Sequence, residues 1–123
     1  MKLEILGLAG IAAAMFSAPA FAHHSFAMFD GEAYVTLEGT VTEFQWTYPH
    51  AWILMMVTDE DGEETQWALE LPSPGGLARN GWLPKSLTPG MKIVAYAHPL
   101  KNGDPGGSAL TVTLPDGTVL EGP

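Results

Sequence analysis

Hydrophobic and polar positions alternate along most of the chain between residues 34 and 121. This period of two is typical of β-strands that bury one face. Turns rich in Gly, Pro and Asp separate the alternating runs, as the Asp61-Gly62 step does between the second and third. The pattern therefore predicts a mainly β protein with six strands, at residues 34–46, 50–58, 65–71, 91–98, 108–114 and 118–121.

The first predicted strand is long and changes its buried face part-way along. Val35 and Leu37 occupy one side, whereas the aromatic residues Phe44 and Trp46 occupy the other. A glycine inside a strand commonly marks a bulge or a sharp bend. We therefore predict that the change of face occurs near Gly39.

One short helical segment is predicted over residues 77–80, between the third and fourth strands. Three strands, a short helix and two further strands with a terminal extension are the plan of a small OB-like barrel. A long first strand with a glycine bend can serve both halves of such a barrel. We expect the barrel to span residues 34–123, preceded by an arm at residues 23–33. An open meander and a β-sandwich fit the same pattern.

The first 22 residues have the composition of a secretory signal peptide. Lys2 precedes an apolar run at residues 5–16, and Ala20 and Ala22 are small residues at the −3 and −1 positions of a cut after Ala22. The run is too short for a span that needs about 20 residues, so no stable membrane span is expected after cleavage. The segment predicts a periplasmic or secreted protein whose first residue is His23.

Composition narrows the classes of partner. The chain of 123 residues has 5 Lys and Arg against 14 Asp and Glu, with a formal charge of −9. Because a nucleic-acid binder must neutralise phosphates with Lys and Arg, no nucleic-acid partner is expected. The absence of cysteine excludes thiolate metal sites, disulfides and a cysteine nucleophile.

The four histidines all lie at element ends or in the arm, and none lies in the middle of a strand. His23 and His24 begin the mature arm, His50 opens the second predicted strand and His98 closes the fourth. In an OB-like barrel the connections that carry His50 and His98 border the same binding face. The sequence thus predicts a metal site formed by His23, His24, His50 and His98. The competing interpretation is that the first two merely follow a cleavage site and that the others make ordinary loop hydrogen bonds.

Copper is the ion that this ligand set favours. After cleavage His23 offers both an α-amino group and an imidazole, whose ordinary pKa values are about 8 and about 6.5. Nitrogen sites without thiolate bind Cu(II) most tightly among first-row divalent metals, ahead of Zn(II) and Ni(II).

An alternative function rests on aromatic side chains. Trp46, Tyr48 and Trp52 cluster in sequence around the first connection between strands, where an OB-like face stacks its ligands. These residues would form the contact surface of a metal-independent module that binds a ligand or a protein. Core packing is the competing interpretation for the same three rings.

No motif points to an enzyme. The sequence has no nucleophile elbow, no P-loop and no dinucleotide fingerprint. Five carboxylates at residues 59–64 lack the ligand spacing of a calcium loop and indicate a solvated hairpin tip. We expect a binding protein with no catalytic activity.

Four blocks of sequence carry a resemblance to a known family. They are AHHSFAMFD at 22–30, GTVTEFQWTYPHAW at 39–52, LARNGW at 77–82 and HPLKNG at 98–103, followed by Gly106-Gly107. Together they resemble the small secreted bacterial proteins of domain-of-unknown-function family 6152. Tyr48 stands where an Asn is expected before the Pro-His pair. The resemblance implies export and a small β-rich domain, and it assigns no activity and no catalytic residue.

Overall fold

The computed structural model describes residues 25–123 of the chain. A 3-10 helix at Ser25–Met28 leads into six strands and one α-helix, whose order along the chain is β1 (Val35–Gln45), β2 (Trp52–Thr58), β3 (Glu64–Glu70), α1 (Pro74–Arg79), β4 (Lys92–Pro99), β5 (Gly106–Thr113) and β6 (Val119–Glu121). The predicted signal segment, His23 and His24 lie outside the described residues.

The strands close into a five-stranded barrel. The sheet order is β3-β2-β1-β4-β5, and a parallel pairing of β5 with β3 joins the two ends. The remaining strand, β6, extends the sheet beyond the second half of β5. With α1 between β3 and β4, the fold is the OB-like barrel that the order of elements predicts.

Inward-facing side chains of every barrel strand form one core. Leu37, Ile53, Leu69, Ala95 and Val112 are all buried, one from each strand in order. Their neighbours along each strand face outward, which is why the period of two is visible in the sequence.

The segment after β3 adds a second group of core residues. Trp82 is fully buried, and its indole Nε1 donates a hydrogen bond to the carbonyl oxygen of Glu121 at 2.7 Å. Its ring lies 5.9 Å from that of Phe44 on β1. This side chain therefore connects the segment after α1 with the end of β6 and with β1.

Two details of the predicted elements are wrong in position. The register of β1 against β2 shifts between Val41 and Glu43. Gly39 lies before this shift and pairs in register with Val57. Gly39 is required instead by close packing, because a Cβ atom there would clash with the carbonyl oxygen of Met56. The bend and the glycine thus have separate causes.

The helix also begins earlier than predicted. It starts at Pro74 rather than Leu77, and the hydroxyl of Ser73 accepts a hydrogen bond from the amide of Gly76 at 3.3 Å. A Ser cap followed by Pro at the first helical position is a helix start signal. The Pro- and Gly-rich stretch hid this signal, because the same residues are typical of turns.

Candidate functional site

The arm before β1 lies against the outside of the barrel. The amide of Asp30 donates to the carbonyl oxygen of Pro99 at 2.9 Å, and the amide of Lys101 donates to that of Met28 at 2.9 Å. Between these two bonds the side chain of Phe29 is only 5% exposed. The arm is therefore anchored by backbone pairing and by one buried aromatic ring.

A cavity of about 300 Å³ lies between the arm and the barrel. Its polar wall includes His50, Glu70 and Ser108. Its apolar wall comes from the arm, the β1–β2 connection and the ends of β3 and β5, and it includes Phe26, Phe29, Pro49, Leu71, Pro72 and Ala109. Of the predicted site residues that the structure describes, His50 alone lines this cavity.

The imidazole of His50 is held through one ring nitrogen. Its Nδ1 lies 3.1 Å from the carbonyl oxygen of Leu71 and 3.3 Å from Oε1 of Glu70. The carbonyl oxygen of Leu71 can only accept a hydrogen bond, so Nδ1 carries the proton. In the neutral ring the other nitrogen, Nε2, then has a free lone pair.

Glu70 is the one buried charged residue of the described core. It is 7% exposed although it faces outward on β3, between the inward-facing Leu69 and Leu71. The arm and the loop that carries His50 cover it. Sequence reasoning did not single out this residue, because strand alternation alone places it on a solvent-exposed face.

His98 lies on the same outer face but does not line the cavity. It pairs in register with Ser108, which in turn pairs with Glu70. Two strand spacings of about 4.8 Å separate the backbones of Glu70 and His98, about 10 Å in all. The structure therefore brings the two loop histidines to one face with Ser108 between them.

The surroundings of His98 are aromatic. Its Nδ1 lies 2.8 Å from the carbonyl oxygen of Ala33, and its ring centroid is 4.7 Å from that of Tyr34. The ring of Tyr34 is stacked on Tyr96 at 5.2 Å. The alternation of β4 predicts that Tyr96 is exposed. The antiparallel pairing of β1 with β4 places Tyr34 beside it, and the sequence does not indicate that pairing.

The other two histidines of the predicted site, His23 and His24, fall before the described residues. Within residues 25–123, no group of three or more His, Asp or Glu side chains is close enough to hold a metal ion.

The three aromatic residues of the alternative site differ in exposure. Tyr48 is 73% exposed, whereas Trp46 and Trp52 are half-buried. The ring of Trp46 meets Phe44 edge to face at 5.8 Å and packs against the core. Over the part of the chain that the structure describes, no ring stacking joins the three residues to one another.

A family model described as a family of unknown function, DUF6152, matches residues 12–109. The chain belongs to the DUF6152 family. Comparisons of this DUF6152 chain with curated proteins and with solved structures find no match. The helices in the described part of the DUF6152 chain are too short or too polar to cross a membrane.

The family match includes the polar wall of the cavity. Residues 12–109 contain His50, Glu70 and Ser108, as well as His98 on the neighbouring strand. The match confirms the resemblance that the four sequence blocks indicate. It attaches no activity to the DUF6152 protein, so function has to be argued from the cavity itself.

Proposed function

We propose that the protein is an exported metal-binding protein, with copper as the favoured ion and Nε2 of His50 as the central ligand. The α-amino group and imidazole of His23 supply further nitrogen ligands, with His24 and His98 as additional candidates. The observation that supports this proposal is the orientation of the His50 imidazole. Its Nδ1 is hydrogen-bonded to the carbonyl oxygen of Leu71 and lies 3.3 Å from Oε1 of Glu70.

Metal-binding histidines generally donate their second ring N–H to a carboxylate or a carbonyl oxygen. The acceptor for His50 is the carbonyl oxygen of Leu71, and Oε1 of Glu70 lies 3.3 Å from the same ring nitrogen. This arrangement fixes the tautomer and makes Nε2 the available donor. His98 has the same arrangement through the carbonyl oxygen of Ala33.

The position of Phe26 supports a contribution from the N-terminus. Phe26 lines the same cavity as His50, and His23 lies only three residues before it. A chain spans at most about 3.6 Å per residue, so the α-amino group of a chain cut after Ala22 falls within roughly 11 Å of Phe26. A terminal chelate and a barrel histidine can thus meet at one ion.

Copper is favoured by the chemistry of these donors. The chain has no cysteine, and nitrogen donors without thiolate bind Cu(II) more tightly than Zn(II). A formal charge of −9 attracts cations to the protein as a whole. Export is supported by the leader-like segment at residues 1–22 and by the cleavage that would free the amino group of His23.

The test is a Cu(II) titration of protein that begins at His23, with a competing chelator to fix the affinity. We expect His50→Ala to weaken binding at least tenfold and Glu70→Gln to weaken it by about tenfold, since acceptors that orient a ligand typically contribute 10- to 100-fold. Glu38→Gln, which alters an exposed carboxylate on β1, is the matched control and should change nothing.

Blocking the N-terminal amine gives a second arm of the same test. Acetylation of the α-amino group of His23 removes one nitrogen donor without lengthening the chain, and it should reduce both the affinity and the number of nitrogens seen by electron paramagnetic resonance. Binding in the micromolar range or weaker that His50→Ala leaves unchanged would overturn the proposal.

The alternative function is a metal-independent binding module that uses Trp46, Tyr48 and Trp52. It is supported by Tyr48, which exposes 73% of its surface beside the cavity loop. It predicts binding that persists in chelator and is lost in Trp52→Ala. Metal binding ranks ahead because Nδ1 of both His50 and His98 is hydrogen-bonded to a backbone carbonyl oxygen, which leaves Nε2 of each ring as the nitrogen available to a metal.

A further inference from the structure

We infer that the cavity beside Glu70 binds a small molecule with an apolar body and one ammonium group, and that it does so without a metal ion. This inference goes beyond the proposed function, because it rests on the carboxylate of Glu70 rather than on Nε2 of His50.

The size and lining of the cavity suit a small organic ligand. Its volume of about 300 Å³ is at the lower end of the range for small-molecule sites, which are mostly apolar with a few polar groups. Phe26 and Phe29 form one side, and Pro49 and Leu71 form another. An apolar body of one ring or a short branched chain can pack against these surfaces.

The carboxylate of Glu70 determines the charge of that ligand. A buried carboxylate is costly unless opposite charge or several hydrogen bonds compensate it. Within residues 25–123, Nδ1 of His50 lies 3.3 Å from Oε1 of Glu70, but this nitrogen donates its hydrogen bond to the carbonyl oxygen of Leu71. The hydrogen-bonding capacity of the carboxylate is therefore left for a ligand in the cavity.

An ammonium group would supply the positive charge and the hydrogen-bond donors that the carboxylate of Glu70 lacks. It brings a positive charge and three N–H donors, and hydrogen bonds between ionised partners are about twice as strong as neutral ones. The hydroxyl of Ser108, whose backbone pairs with that of Glu70, lies on the same wall and can accept one further hydrogen bond. A carboxylate or phosphate ligand would instead meet like charge at Glu70.

The experiment uses protein that begins at His23, in chelator and at pH 8, where a free imidazole is neutral. Three probes share one body: benzylamine, benzyl alcohol and benzoate. Binding is followed by calorimetry and by amide shifts of Phe29 and Ser108. We expect benzylamine to bind about tenfold more tightly than benzyl alcohol, as a charge-assisted hydrogen bond implies, and benzoate to bind most weakly.

Variants then test whether Glu70 causes the preference for benzylamine over benzyl alcohol. Glu70→Gln should bring benzylamine down to the affinity of benzyl alcohol, and Glu38→Gln should retain the full preference. Phe26→Ala changes a side chain that is 73% exposed, so the fold should persist while all three probes bind more weakly. This variant keeps the test decisive if Glu70→Gln does not fold.

Equal affinity for benzylamine and benzyl alcohol in the unaltered protein would overturn the inference. So would an amine preference that survives in folded Glu70→Gln. Because every measurement is made without metal, its outcome is separate from that of the copper titration. Copper binding lost in His50→Ala therefore says nothing for or against the amine site.

Discussion

The imidazole of His98 is bound to the carbonyl oxygen of Ala33, with 2.8 Å between Nδ1 and the oxygen. The two residues are 65 positions apart in the sequence, so the contact joins the end of the arm to the end of β4. Tyr34 completes the contact by placing its ring 4.7 Å from the imidazole. The end of the arm next to β1 is thus attached to the barrel through His98, whereas the beginning of the arm, at Phe26, lines the cavity.

Removal of the His98 imidazole should loosen the arm without unfolding the barrel. The hydrogen bond is worth about 1 kcal/mol, and we expect His98→Ala to lower the stability by about that amount. Hydrogen exchange should accelerate at the amides of Asp30 and Lys101, which bond across the arm. Val119→Ala, at an exposed side chain on β6, is the control. Unchanged exchange at both amides would contradict this role of His98.

Gly39 should tolerate no side chain. A Cβ atom at this position would clash with the carbonyl oxygen of Met56, which belongs to the backbone of the paired strand. Because the strand cannot move without breaking the ladder, we expect Gly39→Ala to cost about 2 kcal/mol or more in the free energy of unfolding. Gly31→Ala, with nothing within 4 Å, should stay within about 0.5 kcal/mol. Equal denaturation midpoints would show that the close approach is absent.

Trp82 should be the side chain that secures the C-terminal segment. Trp82→Phe removes the donor to Glu121 and leaves space in the core, and together these effects should cost about 2 kcal/mol. The loss should appear as a lower urea midpoint and as faster hydrogen exchange at Gly122, whose amide donates to Leu110. Leu83→Ala, at an exposed neighbour, should have little effect. Slow exchange at Gly122 in Trp82→Phe would argue against this role.

The turn before β6 holds the carboxyl group of Asp116 close to hydrogen-bond donors of Thr118. The amide of Thr118 donates to Oδ1 of Asp116 at 2.9 Å, and this hydrogen bond, followed by one from the Thr118 hydroxyl, lowers the pKa of Asp116 from 3.8. A lowered pKa stabilises the fold above the unfolded value of 3.8, and that contribution is lost as the pH falls through the folded value.

Carbon-detected NMR titration of the Asp116 carboxyl checks this sign. We expect a midpoint below 3.8 in the folded protein, and an upward but incomplete return in Thr118→Val, which keeps the backbone donor. A midpoint at or above 3.8 would refute the turn geometry.

The order of strands was predictable because each barrel strand buries one face. Leu37 and Val41 on β1, like Ile53 and Met55 on β2, alternate with outward residues, and this alternation is a local property of the chain. The start of α1 and the bulge after Val41 were misplaced because both depend on competing local signals. Pro and Gly serve turns as well as helix starts, and a glycine serves close packing as well as bends.

The candidate site was predictable only in part. His50 and His98 could be assigned to strand ends and expected on one face, and the described fold places them there with Ser108 between their strands. Glu70 could not be found, since its outward position on β3 predicts exposure. Its burial arises from segments about 20 and about 40 residues earlier in the chain, which no local pattern connects to it.

Local chemistry therefore determined the strands, the barrel and the membership of the DUF6152 family, together with the residue types available to any site. The tertiary structure alone decided which of those residues meet. The arm crosses the outside of the barrel and closes a cavity over Glu70, and the carbonyl oxygens of Leu71 and Ala33 orient the two imidazoles. Such contacts depend on chain closure between distant segments, whereas alternation and turn signals report only on neighbours.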